Sequence, residues 1–189
     1  MRLNNTEKGK GMKTALIVYS SGTGNTEKVA QAIRLGLEEA GVFVTTKKPE
    51  AAGEVDYFNY DLVCLGSPSI QWHPTKQMDD FLKARLDFYS KQGKIKPSSP
   101  KVAGKSALIF VTYSGPHAGL DEATPAGKYM AQFLAHVGFT VVAEWYVLGE
   151  FRGNSENSTQ GRMGDIRGKP TVQDLMKIKE DATDLAMRL

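Results

Sequence analysis

Leu16-Ile17-Val18-Tyr19-Ser20-Ser21-Gly22-Thr23-Gly24-Asn25-Thr26 decides the fold. Four apolar residues run into a polar turn punctuated by glycine. Glu27-Lys28-Val29-Ala30-Gln31-Ala32-Ile33 then follows with helical spacing. Strand, tight loop and helix in direct succession make an anion site, because a helix N-terminus carries unpaired N–H groups and the positive end of its dipole. Ser21, Thr23, Asn25 and Thr26 add side-chain donors, and Gly22 and Gly24 let backbone come close to an anion. The stretch therefore reads as the seat of a phosphate-bearing cofactor.

The bulk composition is that of an ordinary globular protein: 189 residues, 41% hydrophobic and 24% charged. One domain is expected at this length. The net charge of +3 resides in residues 1–13, where Arg2, Lys8, Lys10 and Lys13 face only Glu7; the remainder balances 20 basic against 20 acidic residues. A neutral body lacks the clustered basic footprint of a nucleic-acid binder. The N-terminus has no long apolar run, so neither a secretory signal nor a membrane span is expected. Residues 1–12 read as a flexible lead, with Met12 an alternative start, and 13–189 as the single domain. Cys64, the one cysteine, sits within Leu62-Val63-Cys64-Leu65 and reads as a small core residue. Three scattered histidines offer no metal site. A cytoplasmic protein fits these features.

Strand and helix patterns alternate along the chain. Strands are expected near 14–19, 42–46, 61–66, 106–112 and 139–148. Helices are expected near 25–40, after Pro74, from Pro125 and over 171–188. Such alternation predicts an α/β, doubly wound sandwich on a five-stranded parallel sheet with helices on both faces. Ligands in such folds sit beyond the carboxyl ends of the strands, at the switch in strand order. That directs attention to loops 20–26, 66–74, 112–124 and 149–170.

Spacing excludes two phosphate motifs. The dinucleotide fingerprint needs a third glycine where Glu27 stands, and Lys47 and Lys48 occupy the end of strand 2 where an acid would hold a ribose. Gly104-Lys105-Ser106 ends like a P-loop, but Ser99 replaces its first glycine and a strand follows instead of preceding. Ser21-Gly22-Thr23-Gly24-Asn25-Thr26, by contrast, closely resembles the phosphate loop of flavodoxins. The resemblance to the flavodoxin-like FMN-binding family extends in element order over most of 13–189. It implies strand order 2-1-3-4-5, noncovalent FMN, and a first loop (Ser21 to Thr26) holding its phosphate.

The same resemblance implies that two further loops hold the flavin ring. One is Ser67-Pro68-Ser69-Ile70-Gln71-Trp72, where a large aromatic beyond a strand end is costly to expose unless it covers something. The other is Thr112-Tyr113-Ser114-Gly115-Pro116-His117-Ala118-Gly119. Tyr113 is its stacking candidate, Ser114 is a further candidate cofactor contact, and the N–H groups around Gly115 and Gly119 are candidates for the polar edge of the ring. His117 is a candidate proton donor or anion contact, and equally a surface histidine.

Two arguments favour a reductase over a pure electron carrier. The three loops contain no Asp or Glu, so a reduced flavin would meet less repulsion than in low-potential flavodoxins. Between Ser67 and Pro74 there is also no glycine, so a peptide flip through positive φ would cost about 1 kcal/mol or more. The second loop and Gln77-Met78-Asp79-Asp80-Phe81-Leu82 resemble NAD(P)H-dependent quinone and FMN reductases, whereas the third loop lacks their glycine-rich run. The expectation is thus FMN redox chemistry with NADH or NADPH as donor and a quinone or similar acceptor. The alternatives are a shuttle serving a protein partner and a non-catalytic flavin module. Whether the chain pairs with its own copies is open. Residues 150–170 form a long connection for a compact domain. Arg152, Arg162 and Arg167 there are candidates for a nucleotide phosphate, a partner carboxylate or a neighbouring subunit, against a plain solvated loop. Lys91, Lys94, Lys96, Lys101 and Lys105 read as a solvated connector away from the site.

Overall fold

A computed structural model describes residues 12–189. The expected flexible lead therefore falls, apart from exposed Met12, outside the described residues. Five parallel strands form one sheet in the order β2-β1-β3-β4-β5: β1 Thr14–Tyr19, β2 Phe43–Lys47, β3 Leu62–Pro68, β4 Ser106–Tyr113 and β5 Thr140–Leu148. The connecting helices are α1 Asn25–Glu39, α2 Lys76–Lys91, α3 Thr124–His136, α4 Ser155–Thr159 and α5 Val172–Ala186. The expected order and both helical layers are present.

Alternation along the inner strands divides the core in two. Leu16, Val18, Val63, Leu65, Ile109 and Val111 face α2 and α3. Ala15, Ile17, Leu62, Cys64, Leu108 and Phe110 face α1 and α5. Cys64 is fully buried, which pushes its thiol pKa up. Gly36 explains how closely the second layer packs: a Cβ there would stand 2.1 Å from the Lys179 carbonyl. Thr183 Oγ1 donates to the Gly36 carbonyl at 3.0 Å across the same contact.

Helix α2 departs from the simple apolar pattern. Arg85 is buried, while Leu86 is exposed. The guanidinium has no carboxylate among the described residues. Its Nη1 donates to the Gly53 carbonyl at 2.5 Å, and the group lies 4.0, 4.7 and 5.5 Å from the rings of Phe88, Tyr89 and Tyr57. Each such contact contributes about 0.5–2 kcal/mol against the cost of burying the charge. The basic connector is also partly engaged: Lys101 and Lys105 donate to the Phe139 and Tyr60 carbonyls, and Lys94 lies over Phe58.

The strands' common direction brings the ends of β1, β3, β4 and β5 to one edge. The connection after β5 is more structured than a solvated loop. It contains α4, buries Ser158 and Ile166, and braces the loop after β4 through the Arg162 N–H, which donates to the Pro116 carbonyl at 2.8 Å. Gly161 permits that contact, since a Cβ there would approach Pro116 Cα to 2.9 Å.

Candidate cofactor site

The loop between β1 and α1 is held open by its own residues. Ser21 Oγ accepts from the N–H groups of Gly24 at 3.2 Å and Glu27 at 3.3 Å, so its lone pairs are occupied while its O–H remains a donor. Gly24, at φ +92°, makes the left-handed step into the helix. The N–H groups of Gly22, Thr23, Asn25 and Thr26 have no protein acceptor among the described residues. They form an anion nest at the positive end of a 15-residue helix. The Thr26 hydroxyl is spent elsewhere, 2.7 Å from that of buried Thr112. Thr26 therefore contributes through its N–H, and its side chain locks α1 to β4.

Asn25 connects this nest to the rest of the site. Its Nδ2 donates to the Glu150 carbonyl at 3.1 Å, while its buried Oδ1 has no partner. A buried carbonyl oxygen left unsatisfied costs roughly 1–3 kcal/mol. Gly149 makes room for Asn25: a Cβ there would stand 2.7 Å from Nδ2.

Above the nest opens a cavity of about 550 Å³. Thr23 and Asn25 form one part of its wall, Pro68 to Trp72 a second and Thr112 to His117 a third. The second segment turns sharply: the Ile70 and His73 backbones exchange hydrogen bonds of 2.8 and 3.0 Å around Gln71 at φ +48° and Trp72 at φ +69°. This is the pattern of a type I′ turn, usually made by Asn and Gly. In the segment where a flip through positive φ is expected to cost about 1 kcal/mol or more, two non-glycine residues thus already hold positive φ at rest. Ser69 braces the turn, its N–H donating to the Thr112 carbonyl at 2.9 Å and its hydroxyl to the Glu122 carbonyl at 2.5 Å. Trp72 is left 59% exposed and Ile70 54%, an apolar rim on the cavity. Ser67 does not reach this space. It is fully buried, accepting from the Thr75 N–H at 2.9 Å and donating to the Pro68 carbonyl, which fixes the loop to the start of α2.

Tyr113 lies in the wall half-buried, and that burial raises its phenol pKa. Ser114 Oγ donates to the Gly149 carbonyl at 2.7 Å, stapling the third loop to the end of β5. Gly119 lies outside the wall. Its N–H donates to the Gly115 carbonyl at 3.1 Å, so it is not free for a ligand. The loops are also not free of carboxylates in space. Glu122 lines the cavity, and its Oε1 accepts from the N–H groups of His117 and Ala118 at 2.7 and 2.5 Å. Glu150 lines it too, with Oε2 accepting from the Gly168 N–H at 3.1 Å. Both carboxylates come from chain just outside the loops, folded back onto them, and this removes the electrostatic argument for a milder potential.

Of the candidate residues, Thr23, Asn25, Ser69, Trp72, Tyr113 and His117 meet in one wall, together with Pro68, Ile70, Gln71, Thr112, Ser114 and Gly115. Ser21, Gly22, Gly24 and Thr26 form the nest beside it. The sequence reading missed Glu122 and left Phe151 and Asn157 unassigned, although all three line the cavity. Topology carried the signal for the last two, since they follow β5 on the edge where ligands bind. Nothing in the local sequence marks Glu122. No group of three or more His, Cys, Asp or Glu residues able to hold a metal occurs among the described residues.

FMN fits what is present. Its phosphate suits the open N–H groups, a ribityl hydroxyl suits the unsatisfied Asn25 Oδ1, and its ring suits a wall bearing Trp72 and Tyr113. The cavity volume lies within the roughly 300–1,000 Å³ of small-molecule sites.

Comparison with known proteins agrees with this geometry. A family model described as a flavodoxin domain matches residues 16–95. A flavodoxin of Clostridium beijerinckii is 33% identical over 97 residues, 51% of this chain and 62% of that protein. The chain thus spans less than two thirds of the length of the curated relatives it matches. Among solved structures, oxidised flavodoxin 1 from Bacillus cereus has a TM-score of 0.66 at 17% identity, covering 94% of this chain and 99% of that one. A WrbA-like flavodoxin from Agrobacterium tumefaciens has a TM-score of 0.58 at 17% identity, covering 93% and 96%. In sheet order, matched domain and relatives, the chain is similar to flavodoxins and has the flavodoxin-like α/β fold.

Proposed function

We propose that the protein binds FMN noncovalently in the 550 Å³ cavity and serves as an electron-transfer flavoprotein. The observation that carries this is the unsatisfied, buried Asn25 Oδ1 beside four open N–H groups. Bound FMN would supply the redox chemistry, accepting and releasing electrons at the isoalloxazine ring. The chain's own residues bind and orient. The nest anchors the phosphate, Trp72 and Tyr113 flank the ring region, and Glu122 and Glu150 place negative charge near it. That charge disfavours added electrons and lowers the potential.

A second reading, NAD(P)H-linked reduction of a quinone or similar acceptor, is favoured by the wall after β5. Phe151, Arg152 and Asn157 extend the cavity beyond the three flavin loops. His117 is the candidate proton donor in this reading, being the one histidine on the cavity wall. Anaerobic mixing of the FMN-loaded protein with NADH and NADPH separates the two. Bleaching within the mixing time supports the reductase. An unbleached flavin that dithionite reduces supports the carrier, whose redox partner would be another protein. Neither outcome bears on whether the protein is found in the cytoplasm, which localisation of a tagged chain tests.

A further inference from the structure

The chain after β5 walls a second cleft of about 380 Å³ that shares Glu150, Phe151 and Arg152 with the cofactor cavity. Its far side is made by Asn154, Ser155 and Arg167. We propose that this cleft is a nucleotide-phosphate site, placing a phosphorylated nucleotide co-substrate beside the cofactor. The proposal rests on the reading of the first cavity as the FMN site and on the second, NAD(P)H-linked reading of its function.

Three observations meet here. Arg152 stands where the two cavities join and has no ion-pair or hydrogen-bond partner among the described residues. Arg167 is only partly engaged: its Nε and Nη2 go to Asp165 at 2.9 and 2.5 Å, leaving Nη1 open. Two guanidiniums on one cleft suit a phosphate, which accepts forked N–H pairs. Next, Phe151 is 40% exposed although its backbone is fixed at both ends. Its N–H donates to Ser158 Oγ at 3.0 Å, and its carbonyl accepts from the same hydroxyl at 3.2 Å. A ring held in the open between two cavities is a stacking platform for a base. Finally, Glu150 puts one carboxylate on the wall. It opposes a bare anion and favours a ligand that also carries hydroxyl donors, as a ribose does. Cation, ring and carboxylate together match a nucleotide better than a simple phosphate.

The test uses protein saturated with FMN, so that the first cavity is filled. Adenosine 2′,5′-bisphosphate, which is redox-inert, is titrated calorimetrically, with inorganic phosphate as a second arm. The proposal expects saturable binding of the bisphosphate and much weaker binding of phosphate. Arg152→Ala should weaken the bisphosphate about tenfold or more, the scale of losing one charge-assisted forked contact. Asp165→Asn should tighten it several-fold by releasing Arg167. Arg34→Ala, which removes a pair with Glu38 on the distant α1, should change nothing. Retained flavin absorbance shows that each variant is folded. No binding at millimolar bisphosphate, equal binding of phosphate, or an unaffected Arg152→Ala would overturn the proposal. The FMN-free protein is titrated in parallel. Bisphosphate bound there and displaced by FMN also overturns it, by placing the ligand in the first cavity. Failure to take up FMN at all would instead defeat the cofactor reading and is seen before any bisphosphate is added.

Discussion

Residues 21–26 keep their shape with one glycine at positive φ and a serine hydroxyl that ties the loop to its own helix. Residues 70–73, on the wall of the same cavity, keep theirs with Gln71 and Trp72 at positive φ. The first loop is relaxed and presents open N–H groups, so an anion enters it with little rearrangement. The second stores roughly 1–2 kcal/mol per residue, a strain that persists because Ser69 and the Ile70–His73 pairing hold it from both sides. Anion anchoring and a strained, braced ring-side turn are thus assigned to different strand ends. Asn25 and Gly149 form the joint between the anchor and the wall after β5.

The largest effect is expected at that joint. Gly149→Ala puts a methyl group 2.7 Å from Asn25 Nδ2 and must displace the side chain that reaches Glu150. FMN affinity, read by fluorescence titration, should fall about tenfold or more, the loss of one buried polar contact. Riboflavin should suffer similarly, because the unsatisfied Asn25 Oδ1 is an acceptor and suits a ribityl hydroxyl, not the phosphate. Thr23→Val probes the anchor alone. FMN should weaken by roughly tenfold, the low end for one hydrogen bond to a charged group, while riboflavin is unchanged. Equal losses for both flavins would remove Thr23 from the phosphate site. Thr26→Val is a poorer probe, because it also strands the buried Thr112 hydroxyl.

On the strained side, Gln71→Gly should raise apoprotein stability by about 0.5 kcal/mol in urea unfolding. Relief of the left-handed conformation outweighs the added freedom of the unfolded chain. A loss of stability would contradict the strain. The smallest effect concerns the segment after β5. Arg167, through hydrogen bonds and its charge, lowers the Asp165 carboxyl to about 2. A lowered folded-state value means the pair's contribution is complete above the ordinary carboxylate value of about 4. It is lost as pH falls from about 4 towards 2. Hydrogen exchange at the Arg167 N–H, which donates to Asp165 Oδ1, should accelerate across that window beyond the trend of other amides, and Asp165→Asn should abolish the excess.

The contrast also explains what was legible in the sequence. Strand–loop–helix succession at 16–33 and the long apolar runs of β3 and β4 specify sheet and layers, because burial of a doubly covered strand leaves little choice of residue. The anion nest was equally legible, being made of backbone that glycines and a helix start define locally. The ring-side wall was legible only as an address. Trp72 is visible as an aromatic at a strand end, but its positive φ belongs to a turn that Ser69 ties to the carbonyl of Glu122, a residue distant in sequence. Glu122 and Glu150 were counted as lying outside the loops, and only the folded-back chain brings their charge to the cavity. Arg85 taking the buried position beside Leu86 likewise follows from an aromatic box built by residues 57, 88 and 89.

The most direct test of the central claim is a parallel titration of the apoprotein with FMN and riboflavin, followed by quenching of flavin fluorescence. The account predicts one FMN bound per chain and at least about a hundredfold weaker riboflavin, because several charge-assisted contacts in the 22–26 nest depend on the phosphate. No quenching by FMN, or equal affinity for the two flavins, would contradict it.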